Sequence, residues 1–143
     1  CGLAVRDVLR VEMKYCLYGN DIDEQTNPIE AGLGWITALD KKDFIGKKAI
    51  GYHNQEIKKK LISFIMIERG IPRKGYSICI DGEKIGNVTS GTQSPKLKNG
   101  IGLGYVAHKH SKIGTEFDII VRDKPIKAKI IKPPFINDTS LLK

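Results

Sequence analysis

From Leu61 onward the chain is built of short β-like runs, with turn signals roughly every eight to twelve residues, and this rhythm suits a small antiparallel barrel or sandwich. LISFIMI has the apolar, β-branched and aromatic content of a strand. YSICI and EKIGNVTSG flank Asp81-Gly82, a dipeptide that tolerates positive φ in a tight turn, so the two runs are expected to pair antiparallel. IGLGYVA supplies a further strand. EFDIIVRDKPIKAKIIK reads as a second hairpin turning near Asp123 and Lys124, with Pro125 expected at the turn because proline cannot donate to a ladder. Six strands with one apolar face each can close on themselves, which removes exposed edges.

The opening residues follow a different period. In LAVRDVLRVEM, Ala4, Val8 and Leu9 recur at helical spacing and Glu12 falls on the same face, so its carboxylate is expected to point inward. A carboxylate sent toward a core without donors costs roughly several kcal/mol, so it must meet donors from the protein or from a ligand. Arg6 and Arg10 stand six and two positions away, and neither separation shares a helical face with Glu12. Asp7 and Arg10, at i and i+3, can pair directly. Glu12 is left for a distant basic residue or for a ligand.

Beyond the helix, Tyr18 to Pro28 is rich in Asn and Asp and broken by Gly19, which indicates an ordered loop long enough to line a site. Leu33 to Leu39 suits a strand, and Asp43 can cap a short helix over Gly46 to His53. The Lys-rich stretch Asn54 to Lys60 is the linker candidate. It divides an α+β piece from a mainly antiparallel β-rich remainder that can form a barrel or a sandwich.

With 143 residues and 41% hydrophobic content, the chain can bury one modest core, or one core and part of another. No apolar run approaches the roughly 18 residues of a membrane helix, and a soluble protein is expected, cytoplasmic or, from a eukaryotic source, of the mitochondrial matrix. The start at Cys1-Gly2-Leu3 suggests a piece of a longer protein. Cys1, Cys16 and Cys79 form no CxxC pair, so neither a disulfide framework nor a zinc site is expected, and His108-Lys109-His110 is read as a solvated turn rather than a metal site. Charge is uneven: residues 1–40 sum to minus four and residues 41–143 to plus twelve. So basic a second part favours anionic partners through attraction that salt weakens.

Several motifs have plain structural readings. SGTQSPKL, Ser90 to Leu97, lacks the order of a nucleotide loop and is expected to be a structural loop; GIGLGY, Gly100 to Tyr105, alternates like a strand. Arg69 and Arg73 bracket Gly70 and Pro72, a turn that would display guanidinium groups to a carboxylate or phosphate. Lys41, beside Lys42, could reach an anion near the Tyr18 to Glu24 loop, although Asp40 and Asp43 could neutralise both. No Ser/His/Asp, Cys/His or paired-carboxylate arrangement for catalysis stands out.

Read in order, GLAVRDVLRVEMKYCLYGNDIDEQTNPIEAGLGW, DKKDFIGKKAI, RGIPRKGY, DGEKIGNVTSGTQSPKLKNGIGLGYV and KAKIIKPPF resemble the C-terminal part of the glycine cleavage system T protein family, the aminomethyltransferases. The resemblance runs essentially end to end. It implies transfer of a one-carbon unit from an aminomethyl group on the lipoyl arm of the H protein to tetrahydrofolate, with release of ammonia. It implies that residues 1–54 are the C-terminal end of a ferredoxin-like folate-binding region and that residues 55–143 form an elongation-factor-like, mainly antiparallel β-barrel.

Among the residues, the resemblance implies that Glu12 binds the pterin, that Lys41 suits the glutamyl carboxylate of folate, and that Arg73 matches the family's ARKGY-like turn. Arg10-Val11-Glu12 stands where the family carries RLE. The family's catalytic aspartate lies before the matched region, so the chain alone is expected to bind folate poorly and to turn over nothing. Two alternatives compete with this reading: a folate-dependent relative with other chemistry and a non-enzymatic RNA-binding barrel. The iron–sulfur maturation branch carries KGCYxGQE, where this chain has Lys14-Tyr15-Cys16-Leu17-Tyr18-Gly19-Asn20-Asp21. A basic RNA-binding barrel would need exposed aromatics among its lysines, and 7% aromatic content offers few.

Overall fold

The structure is a computed structural model that describes residues 2–53 and 57–138. Helix α1 spans Leu3–Glu12, a short 3-10 helix spans Gly34–Ile36, and α2 spans Lys47–His53. Six strands follow: β1 Lys59–Met66, β2 Ser77–Ile80, β3 Glu83–Ser94, β4 Asn99–Ala107, β5 Glu116–Val121 and β6 Lys124–Ile131, with a second 3-10 turn at His108–His110. They close into an antiparallel barrel in the order β1-β4-β3-β2-β5-β6, as the six short runs implied. No helix among the described residues is long and apolar enough to cross a membrane.

The run LISFIMI is apolar but for Ser63 because β1 buries both of its faces from Leu61 to Met66. Ile62, Phe64 and Met66 enter the barrel interior, where Phe64 meets Phe117 edge-on at 5.6 Å between ring centroids. Leu61 and Ile65 face outward into a second core shared with Val11, Phe135 and Ile136. Helix α1 is thereby fastened to the outside of β3 and β4.

The first hairpin turns as expected at Asp81 (φ 50°) and Gly82 (φ 81°), the double positive φ of a two-residue turn compatible with strand twist. The second turns one residue earlier than expected, at Arg122 and Asp123, and Pro125 lies inside β6 opposite Ile120. This placement is permitted by register. Val121 and Lys124 close the turn, so at the next pair Pro125 turns its missing N–H away from β5, and pairing of β6 with β1 begins only at Ala128.

Three further expectations are corrected. Leu33 to Leu39 is not a strand: Ile36 and Thr37 amides close onto the Leu33 and Gly34 carbonyls, and the Thr37 hydroxyl also donates to Leu33, so the backbone groups are satisfied locally. Ser90 to Ser94 is strand rather than loop, because β4 offers a full ladder from Leu103 to Asn99; only Pro95 to Lys98 turn. The proposed linker overlaps β1 at Lys59 and Lys60, and its residues 54–56 lie outside the described residues. The short helix is present one residue late, at Lys47, entered through a turn in which the Lys47 amide donates to the Phe44 carbonyl.

Candidate functional site

The end of α1 sends Arg10, Val11 and Glu12 into the protein, while Leu3 and Leu9 stay 83% and 57% exposed. The stripe of Ala4, Val8 and Leu9 therefore does not pack into a core. With Val5 it walls an open groove of about 430 Å³, completed by Glu12 and, from the β3–β4 turn, Pro95 and Lys96. The reason is geometric: the barrel takes the neighbouring face, centred on the fully buried Val11.

Glu12 points inward as its position implied, and it is 6% exposed. Its Oε1 accepts a hydrogen bond from Ser94 Oγ at 2.5 Å. Among the described residues no lysine or arginine forms an ion pair with it, and Oε2 accepts no hydrogen bond. An ionised carboxylate offers about four acceptor positions. The protein uses one, beside a groove otherwise walled mainly by aliphatic side chains.

Arg10 takes a separate role. It pairs with Asp7 across one helical turn, Nη2–Oδ1 2.6 Å, as the spacing implied, and with the buried Asp21, Nη1–Oδ2 2.6 Å. Its Nη2 also donates to Ser90 Oγ at 2.9 Å. Asp21 is filled by donors: Ser90 Oγ at 2.7 Å and Thr89 Oγ1 at 2.5 Å to Oδ1, and the Leu17 amide at 2.9 Å to Oδ2. The Tyr105 hydroxyl donates to the Asp21 carbonyl at 3.0 Å. Helix, loop and barrel are thus clasped by one polar cluster, and Glu12 lies outside it.

The same region perturbs its titratable groups. Burial pushes the Tyr105 phenol well up, helped by the charges of Cys16, Asp21 and Glu30. Burial likewise pushes the Cys16 thiol up and the Lys14 ammonium down.

The other two candidate residues are not brought to the groove. Lys41 is exposed in the turn after the first 3-10 helix, where its carbonyl accepts from Lys47 Nζ at 2.5 Å. Arg73 is exposed ahead of β2, and its neighbour Lys74 makes the cross-chain contact, donating to the Gly19 carbonyl at 2.8 Å and to Asn20 Oδ1 at 2.9 Å. Sequence reasoning missed Asp21 and Ser94. For Ser94 the Ser-Pro dipeptide after a β-run was the signal, since a residue before proline is held extended.

Fold and site together define a β-barrel protein with a helix docked on its flank that presents a buried carboxylate to an open, largely apolar groove. Residues 59–137 match the family described as the glycine cleavage T-protein C-terminal barrel domain, and residues 1–41 match the GCVT N-terminal domain. The chain belongs to the glycine cleavage T-protein family. It is 54% identical over 137 residues to an aminomethyltransferase of Bacteroides fragilis, and 51% identical over 136 residues to one of Halothermothrix orenii. Each comparison covers 94% of this chain and 38% of the relative, so the chain spans well under half the length of these curated relatives. The crystal structure of the glycine cleavage system aminomethyltransferase T from Bartonella henselae superposes with a TM-score of 0.89 at 34% identity, covering 94% of this chain and 39% of that one.

Proposed function

We propose that this chain is the C-terminal part of a tetrahydrofolate-dependent aminomethyltransferase of the glycine cleavage system. The whole enzyme moves the one-carbon unit of an aminomethyl group from the lipoyl arm of the H protein to tetrahydrofolate and releases ammonia. Residues 1–54 end the folate-binding region and residues 55–143 form the barrel. The observation that carries this reading is the Glu12 carboxylate, buried and unpaired by any basic side chain among the described residues, beside a groove large enough for a ring. Family membership supports a folate as the ligand.

The residues present fit the pterin. Its 2-amino group and ring N–H are two adjacent donors, and one ionised carboxylate can accept both together, which fixes the ring's orientation. The apolar wall of Ala4, Val5, Val8 and Leu9 offers the ring a surface to pack against. Glu12 binds and orients; it is assigned no proton transfer. Lys41 meets the glutamyl carboxylates of the folate tail, and Arg73 supplies a second, solvent-screened cation; their exposure leaves both free to reach an anion. The basic part from residue 41 onward suits both polyglutamyl folate and an acidic lipoyl carrier. The protein works in the cytoplasm, and the chain alone is inactive.

The test is titration with tetrahydrofolate of the Bacteroides fragilis relative carrying this sequence in place of its own matching segment. Glu12→Gln is expected to weaken binding by about ten- to a hundredfold, or roughly 1.5 to 3 kcal/mol for the loss of a charged two-point contact. Unchanged affinity would overturn the assignment.

A further inference from the structure

We propose that Ser94 is the positioning residue of the folate site: a barrel hydroxyl that presets the Glu12 carboxylate for the pterin. The proposal rests on Glu12 being the pterin acceptor, and it assigns a role to the SGTQSPKL motif.

A serine hydroxyl has one proton to give and two lone pairs to receive. The Leu97 amide donates to Ser94 Oγ at 3.1 Å, which occupies the acceptor side and leaves the proton for Glu12 Oε1 at 2.5 Å. Ser94 is wholly buried, so water does not compete for it. Its backbone is equally determined. It is the last residue of β3, paired with Asn99, and Pro95 behind it restricts it to extended backbone. The turn that follows includes Lys98 at φ 54° and returns the Leu97 amide to the hydroxyl.

The terminal torsion of a glutamate is broad and roughly two-fold, so an untethered Glu12 carboxylate would be immobilised only when a ligand binds. The Ser94 bond fixes it beforehand. Oε1 keeps a second lone pair and Oε2 both of its own, so the plane is held while the groove-facing acceptors remain for a ligand's paired donors. Such preorganisation lowers the ordering cost of binding, and its value disappears once the carboxylate itself is gone.

That dependence supplies the experiment, a double-mutant cycle in the Bacteroides fragilis relative carrying this sequence, read as tetrahydrofolate dissociation constants. Ser94→Ala is expected to weaken binding three- to tenfold, Ser94→Thr to retain it, and Ser94→Ala in the Glu12→Gln background to add less than a twofold change. Ser94→Cys, nearly isosteric but a weak donor, should behave like Ser94→Ala, which keeps the test valid should the alanine variant misfold. Unchanged affinity in both Ser94→Ala and Ser94→Cys, or full additivity with Glu12→Gln, would overturn the positioning role while leaving the folate reading intact. An indifferent Glu12→Gln would instead remove the folate reading, and Ser94's role with it.

Discussion

The Arg10 guanidinium and the Asp21 carboxylate, eleven residues apart, form an ion pair with 2.6 Å between Nη1 and Oδ2 that is closed off from solvent between helix, loop and barrel. Removing one partner of such a pair leaves an uncompensated charge, which costs about 3 to 5 kcal/mol. Asp7 still neutralises Arg10 in part, so the lower end of that range applies. Asp21→Asn is expected to lower unfolding free energy by about 3 kcal/mol, measured by urea denaturation. A change under 1 kcal/mol would show that the clasp is dispensable.

Gly102 lies where β4 passes the interior aromatic pair. A Cβ there would stand 2.5 Å from Phe64 Cζ and 2.7 Å from the Ser90 carbonyl oxygen, and the latter cannot rotate away. Gly102→Ala should therefore overpack the barrel, destabilising it by about 1 to 3 kcal/mol in the same assay. Neutral or improved stability would mean that the interior has slack.

Tyr105 sets an alkaline limit. Its phenol is held neutral in the folded protein, chiefly by burial, so the unfolded chain loses this proton at lower pH than the folded one. Stability from this group is complete below the ordinary tyrosine range, about pH 10, and is lost as pH rises toward the folded value. Denaturation midpoints should fall as pH passes about 10, with a shallower fall in Tyr105→Phe. Identical slopes would contradict this.

Lys41 should matter to the tail of folate and not to its ring. Because the side chain is exposed, the contribution is small and salt-sensitive: Lys41→Ala is expected to weaken polyglutamyl folate about two- to fivefold at low salt and the monoglutamate less. Equal losses for both ligands in an isothermal titration would move Lys41 out of the tail site.

Much of this architecture was legible in the sequence. The Asp81-Gly82 hairpin, the LISFIMI strand and the Asp7–Arg10 pair rest on short-range chemistry, and each stands in the structure as anticipated, although β1 buries both faces where one was expected. The segment around Trp35 was misread because β-propensity describes fit to a neighbouring strand, and the local carbonyls of Leu33 and Gly34 took the amides instead. Pro125 was misplaced for a related reason: only register decides whether a missing donor faces a partner. Glu12 is buried as expected, but not through the stripe that suggested it: Ala4, Val8 and Leu9 line the open groove, and the barrel takes the face centred on Val11. The single donor to Glu12 among the described residues, Ser94, stands 82 residues away, beyond the reach of any periodicity.

One backbone bond extends the reach of the site. The Phe135 amide donates to the Glu12 carbonyl at 2.9 Å, and Phe135 and Ile136 pack beside Val11 in the outer core. The tail after β6 thus works as a latch on the last turn of α1. A proteolytic nick between Ile131 and Phe135 would unfasten Glu12, the acceptor proposed for the pterin, while leaving every residue of the groove wall intact.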